Sequence, residues 1–124
     1  MCLTIKKDQQ AEIAQEDIIV YKHLIDDGLG NYRTSFYYAE VQMGNIYTSS
    51  LVLDEDGEVN YGLHSYANEE TAIEEAVCYW ETVVQCTIPK GSTFYKGTFG
   101  SREAYASDTL IYNHEIISYP KLDN

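Results

Sequence analysis

Three histidines, three cysteines and twenty carboxylates are the groups in this 124-residue chain that bear most directly on chemistry near neutral pH. Nucleophilic catalysis needs a thiol or hydroxyl with a base beside it. Cys78 has His64 or His114 as conceivable partners in space, but nothing around it in sequence supports such a pair. There is no Gly-x-Ser-x-Gly elbow and no phosphate-cradling loop ending in Gly-Lys-Ser/Thr. Zinc requires paired Cys or His spacings, and the chain has neither a Cys-x-x-Cys nor two histidines in register, so we expect no metal site. Asp54, Asp56 and Glu58 alternate across a turn and offer oxygen ligands of the kind calcium takes. They lack the length and the closing bidentate Glu of an EF-hand loop, so they read as a solvated hairpin tip. No cofactor is expected.

His64 is the more informative histidine. It stands in Gly62-Leu63-His64-Ser65-Tyr66, between a strand and a helix. Such junctions often face a pocket, and an imidazole both donates and accepts hydrogen bonds near neutral pH. Tyr21 and Lys22 lie on the first strand and Arg33 on the second. If those strands are neighbours, Lys22, Arg33 and His64 form a basic spot on an acidic molecule. Tyr21, Arg33, His64 and Tyr66 are therefore the candidate residues of a ligand pocket. Tyrosine occurs 12 times against three Phe and one Trp. Its ring is apolar and its hydroxyl needs a partner, which suits half-buried strands and binding surfaces.

Positioning these residues falls to a series of short strands. Residues 1–16 form a polar arm, loose or with a short helix over Ala11 to Glu16. Asp17 to Leu24 carries the run Ile18-Ile19-Val20-Tyr21, β-branched and aromatic, and reads as a strand. Asp26 to Asn31 breaks it with turn residues. Tyr32 to Val41 is a second strand and Ile46 to Leu53 a third. Asp56-Gly57 then favours a tight turn, because Gly accepts positive φ, and Glu58 to His64 pairs back as the fourth. Asn68 has the character of an N-cap, with Glu69 and Glu70 in the first turn. Ala72, Ile73, Ala76, Val77 and Trp80 recur at helical spacing, which predicts one amphipathic helix over 69–81 with Ile73, Val77 and Trp80 inward. Thr82 to Ile88 is β-rich and stops at Pro89-Lys90-Gly91. Thr93-Phe94-Tyr95 opens another strand, Gly97 and Gly100 bracket a loop, and Leu110-Ile111-Tyr112 with Ile116-Ile117 completes the set. The expected fold is α+β: a mostly antiparallel sheet of six to eight short strands with one main helix. It forms a single domain over 17–119, followed by a tail at 120–124.

Composition bounds the function classes. Hydrophobic residues are 44% and charged residues 23%, as in globular proteins. No apolar run reaches the ~20 residues that span a bilayer, so no membrane association is expected. The net charge is -12, which opposes direct nucleic-acid binding because phosphate contacts need clustered cations. Two acidic clusters stand out: Asp54, Glu55, Asp56 and Glu58 on the hairpin, and Glu69, Glu70, Glu74 and Glu75 on the helix. Such clusters suit docking on the basic surface of a partner protein. Cys2, Cys78 and Cys86 are an odd number behind an N-terminus without a signal-like apolar stretch, which points to free thiols in a reducing cytoplasm.

Several segments together resemble a family of small, uncharacterised proteins of gut bacteria and their phages. They are Met1-Cys2-Leu3, Ile13-Ala14-Gln15-Glu16-Asp17-Ile18, Tyr21-Lys22, Gly62-Leu63-His64-Ser65-Tyr66, Ile88-Pro89-Lys90-Gly91-Ser92 with Tyr95 and Gly97, and Tyr105-Ala106-Ser107-Asp108. The resemblance implies a cytoplasmic accessory protein of phage or mobile-element type in a bacterial or phage-infected cell, not a metabolic enzyme. The acidic surface then implies an inhibitor that occupies the basic site of a host defence or nucleic-acid-handling factor. A weaker likeness is to mono-ADP-ribosyltransferases, through the order Tyr21-Lys22, Thr48-Ser49-Ser50, Pro89-Lys90-Gly91 and Asp108. It implies Lys22, His64 and Asp108 as catalytic residues. The basic residue there is Lys rather than Arg or His, the acid is Asp rather than Glu, and no Glu-x-Glu pair exists. The reading is a non-enzymatic binder, with an ADP-ribosyltransferase-like domain, or one that binds a nucleotide or small ligand, as the alternative.

Overall fold

A computed structural model of the chain describes residues 3–29, 31–34, 39–76 and 81–118. The strands in chain order are β1 (Leu3–Thr4), β2 (Glu12–Ile13), β3 (Ile18–Asp26), β4 (Tyr32–Thr34), β5 (Glu40–Val41), β6 (Ile46–Thr48), β7 (Val52–Leu53), β8 (Glu58–Tyr61) and β9 (Leu63–Tyr66). The helix α1 (Glu69–Glu75) follows, then β10 (Glu81–Ile88), β11 (Thr93–Phe99), β12 (Arg102–Ser107) and β13 (Thr109–Ser118). The fold is mostly antiparallel sheet with one helix among the described residues, as the patterning implies. The number of strands is thirteen, not six to eight.

Breaks inside runs that read as continuous account for the difference. The segment 46–53 divides: β6 pairs with β13, whereas β7 pairs with β8 across the turn at Asp54–Gly57. The hairpin is thus real but shorter than 46–64. Gly62, at φ 149, ends β8 and lets the chain leave for a different neighbour as β9. At the N-terminus, residues read as an arm are built into the sheet. Leu3 pairs with Val59 and is fully buried, and Glu12–Ile13 pairs with the start of β11. Gly97 lies inside β11 rather than in a loop, and 109–118 is one strand.

The helix also differs from the expected 69–81. It spans seven residues and Glu81 already belongs to β10. Asn68 has extended N-cap geometry but makes no side-chain cap hydrogen bond. Ile73 packs against the core as expected, whereas Val77 and Trp80 lie outside the described residues.

The main path of the sheet runs β6-β13-β10-β3-β9-β12-β11-β1-β8-β7. Laid flat, ten strands at about 4.8 Å spacing cover about 43 Å. Yet the two ends, β6 and β7, are joined through residues 49–51, a link that reaches at most ~15 Å. The ribbon therefore curls back on itself. β10 is third along this path, paired along its whole length with β3 and also with β13. Its adjacent residues Val83 and Val84 are both fully buried, so both faces of the strand are covered. Val83 belongs to a core with Leu3, Val59, Tyr66, Ala72 and Ala76, beneath α1. Val84 belongs to a second core with Val20, Leu24, Ile88, Leu110 and Tyr112. Each fully buried aliphatic side chain of this kind stabilises by about 1.5–3 kcal/mol.

Candidate functional site

β3 is held along one edge by β10 and shared along the other. β9 meets it at Tyr21↔Tyr66, and β4 takes over from Leu24↔Thr34. Between these contacts the second edge of β3 forks, at Lys22 and His23. A cleft of about 460 Å³ opens there, within the range of small-molecule sites. Its walls are mostly apolar and include Tyr61, Leu63, Tyr66 and Phe99, with Lys22, His23, His64 and Ser65 also at its surface.

Lys22 is the cation of this cleft. Its Nζ donates to the His64 carbonyl oxygen at 2.9 Å, and the ion pairs of the described residues involve other groups. Burial holds its amine below the usual lysine range. The nearby Cys86 supplies no counter-charge: burial pushes its thiol up to about 12, so it is neutral at pH 7. Ser65 follows from the register. Lys22 and Ser65 each stand one residue beyond the Tyr21↔Tyr66 pair, so alternation puts both on the face opposite the two tyrosines. Ser65 is 1% exposed and its Oγ is buried without a hydrogen-bond partner, uncommon for a buried hydroxyl.

The aromatic wall lies on the other face. The rings of His64 and Tyr66 each sit 5.5 Å from that of Phe99, and His23 stacks on Tyr66 at 5.9 Å. His64 Nε2 lies 3.2 Å from the Val59 carbonyl oxygen, an acceptor only, so that nitrogen carries the proton. Burial, aided by the Lys22 charge, pushes the imidazole down to about 4. His23 Nδ1 is 3.0 Å from Glu81 Oε2. Burial still outweighs the carboxylate and lowers its pKa, so the contact is a hydrogen bond from a neutral ring at pH 7.

Of the pocket residues expected from sequence, the structure brings His64 and Tyr66 to the cleft, and Lys22 with them. Tyr21 packs into the core beneath α1 instead. Arg33 pairs with Glu40 at 3.3 Å on the surface, so no basic trio forms with Lys22 and His64. Asp108 sits at the β12–β13 turn, where its Oδ1 accepts from Thr93 N–H and Thr109 Oγ1; it does not line the cleft. Cys78 lies outside the described residues, and His114 is exposed on β13.

The acidic clusters are partly used within the molecule. Asp54 accepts from the Asp56 and Glu58 amides and from Asn60 Nδ2, which holds its carboxyl below the usual range. Glu74 and Glu75 both face Arg102. Glu55, Asp56, Glu69 and Glu70 are exposed and Glu58 is half-buried. Among the described residues no three His, Cys, Asp or Glu side chains gather as a metal site would require. No helix among them is long and apolar enough to cross a membrane.

Sequence reasoning passed over Ser65 and Phe99. Ser65 was visible as a neighbour of His64, but its burial depends on β12 lying alongside. Phe99 comes from β11, distant in sequence, and no local signal points to it. The chain matches no family model, no curated protein and no solved structure.

Proposed function

We propose that the protein is a non-enzymatic binding domain whose cleft at the β3 fork holds a small, neutral molecule with a ring-sized apolar body. The observation that carries this reading is the cleft itself: about 460 Å³, bordered by Tyr66, Phe99 and two uncharged imidazoles, with few polar groups to orient a ligand. That balance of apolar wall and sparse polar contacts is typical of small-molecule sites. A neutral ligand is favoured because the chain carries a net charge of -12, which repels free anions at long range.

The acidic-surface reading, with a basic host protein as partner and a phage-type inhibitory role, rests on fewer groups. Asp54, Glu74 and Glu75 are engaged internally, leaving Glu55, Asp56, Glu69 and Glu70 as its exposed contributors. The ADP-ribosyltransferase-like alternative lacks its acid at the cleft, since Asp108 is bonded elsewhere.

The test is a titration of ¹⁵N-labelled protein with benzyl alcohol, followed by amide NMR. Saturable shifts confined to Lys22, His23, Leu63 to Tyr66 and Phe99 are expected. Absent shifts, or shifts scattered over the surface, would refute the cleft as a ligand site.

A further inference from the structure

We infer that Lys22 is a carbonyl-capturing amine: the cleft takes a small, neutral aldehyde or ketone and holds it as an imine on Nζ. This deepens the proposed function and rests on the cleft being a ligand site.

Four observations converge on it. Lys22 is half-buried and lines a mostly apolar cleft, where Nζ makes a single hydrogen bond, to the His64 carbonyl oxygen. No carboxylate pairs with it among the described residues. An ammonium in apolar surroundings without a counter-charge is costly, which favours the free amine. The free amine is the nucleophile, and these surroundings raise its fraction above that of a surface lysine.

Ser65 supplies the second observation. Its hydroxyl is buried and unpartnered, on a residue that alternation puts on the same face of the sheet as Lys22. A buried polar group without a partner is a group awaiting one, and a hydroxyl both donates and accepts. The third is the absence of another cation at the cleft: both histidines are held neutral, and Arg33 is paired elsewhere. A carboxylate or phosphate ligand would thus have one cation at most and a strongly negative molecule around it. A carbonyl compound needs no cation. The fourth is contrast with another lysine: Lys96 has the Glu103 carboxylate at 3.4 Å and the Tyr105 ring beneath its ammonium, whereas Lys22 has only a carbonyl oxygen.

The step balances without an oxidant or reductant. The Nζ lone pair forms a C–N bond to the carbonyl carbon while the C=O π pair moves to oxygen. One proton passes from nitrogen to that oxygen, a transfer the Ser65 hydroxyl is placed to relay. The carbinolamine then loses water, the nitrogen gives up its second proton to the departing hydroxyl, and a C=N bond remains. Aldehyde and amine become imine and water.

The test incubates the intact protein at pH 7 with benzaldehyde and sodium cyanoborohydride, which delivers hydride to an imine carbon and fixes it as a secondary amine. Peptide mapping locates the added benzyl group. An exposed lysine of pKa about 10.4 is only ~0.1% free amine at pH 7, so Lys22 is expected to label at least about tenfold faster than Lys6, Lys7 and Lys90. From pH 7 to 9 the Lys22 rate should also climb less than the rate at Lys90. Lys22→Arg should abolish the selective label in a protein whose amide spectrum away from the cleft shows it folded. Ser65→Ala should slow labelling several-fold without moving it to another lysine. Label spread over exposed lysines, or none at Lys22 while benzyl alcohol still shifts the cleft amides, overturns the inference and leaves the ligand site standing. No label and no cleft shifts overturn both.

Discussion

Acid should loosen this protein through His64 before its carboxylates begin to titrate. In the folded chain the imidazole is half-buried against Phe99 and its pKa lies at about 4, against 6.5 for a free ring. The unfolded ring therefore takes its proton first. Between pH 6.5 and about 4 the unfolded state binds more protons, so stability falls as pH falls, and it is fully present only above pH 6.5. At about 1.36 kcal/mol per pKa unit the neutral ring is worth about 3.4 kcal/mol. That is a large share of the 5–15 kcal/mol typical of a domain. His23 is displaced in the same direction and adds to the loss. The perturbation is His64→Gln, which retains a donor for the Val59 carbonyl oxygen and does not titrate. Urea unfolding of both proteins at pH 7, 6, 5 and 4.5 gives the two stability curves. The wild type should lose about 2.4 kcal/mol more than the variant across that span. Parallel curves would show that the ring is not held neutral by the fold.

Two further substitutions probe the packing. Gly97→Ala would drive a Cβ into the backbone oxygen of Thr4 on the neighbouring strand; we expect a loss of about 1–3 kcal/mol in urea unfolding, as for other overpacked sites. Ser65→Ala removes a buried hydroxyl that has no partner, so stability should be unchanged or rise by up to about 1 kcal/mol, where a satisfied hydroxyl would cost about that much; thermal unfolding distinguishes the two signs.

What the chain discloses about its fold is mostly local. Ile18 to Leu24 and Thr82 to Ile88 are β-branched runs, and both are strands because no competing periodicity exists within them. Asp56-Gly57 turns where turn chemistry says it should. Pairing across long separations is not local: nothing in Ile46–Thr48 announces β13 as its neighbour rather than β8. The helix ends early although Ala76, Val77 and Trp80 continue the apolar spacing, because β10 begins at Glu81 and its pairing with β3 claims the chain. The site was half legible. His64 and Tyr66 were recognisable from their junction, and Lys22 was noticed as a cation. Its burial was not, since a lysine on an alternating strand reads as solvent-facing. Alternation puts that lysine on the same face as Val20 and Leu24, both fully buried, and the fork, where β9 and β4 share one edge of β3, opens the cleft beside it.

The curled ribbon also fixes a schedule for assembly. Thr4 pairs with Thr98, and Ile13 pairs with Thr93. At about 5–20 residues per second, roughly 5–20 s pass on the ribosome before those partners exist. Throughout that interval Leu3, fully buried at the end, has no finished core to enter. β10 likewise waits for β13, whose last residue is Ser118. Pairings this distant are slow to close because loop entropy is lost before contacts repay it. The nascent chain thus has one edge of β10 and the side chain of Leu3 uncovered at the same time, and β13 must be made before β10 is paired on both sides.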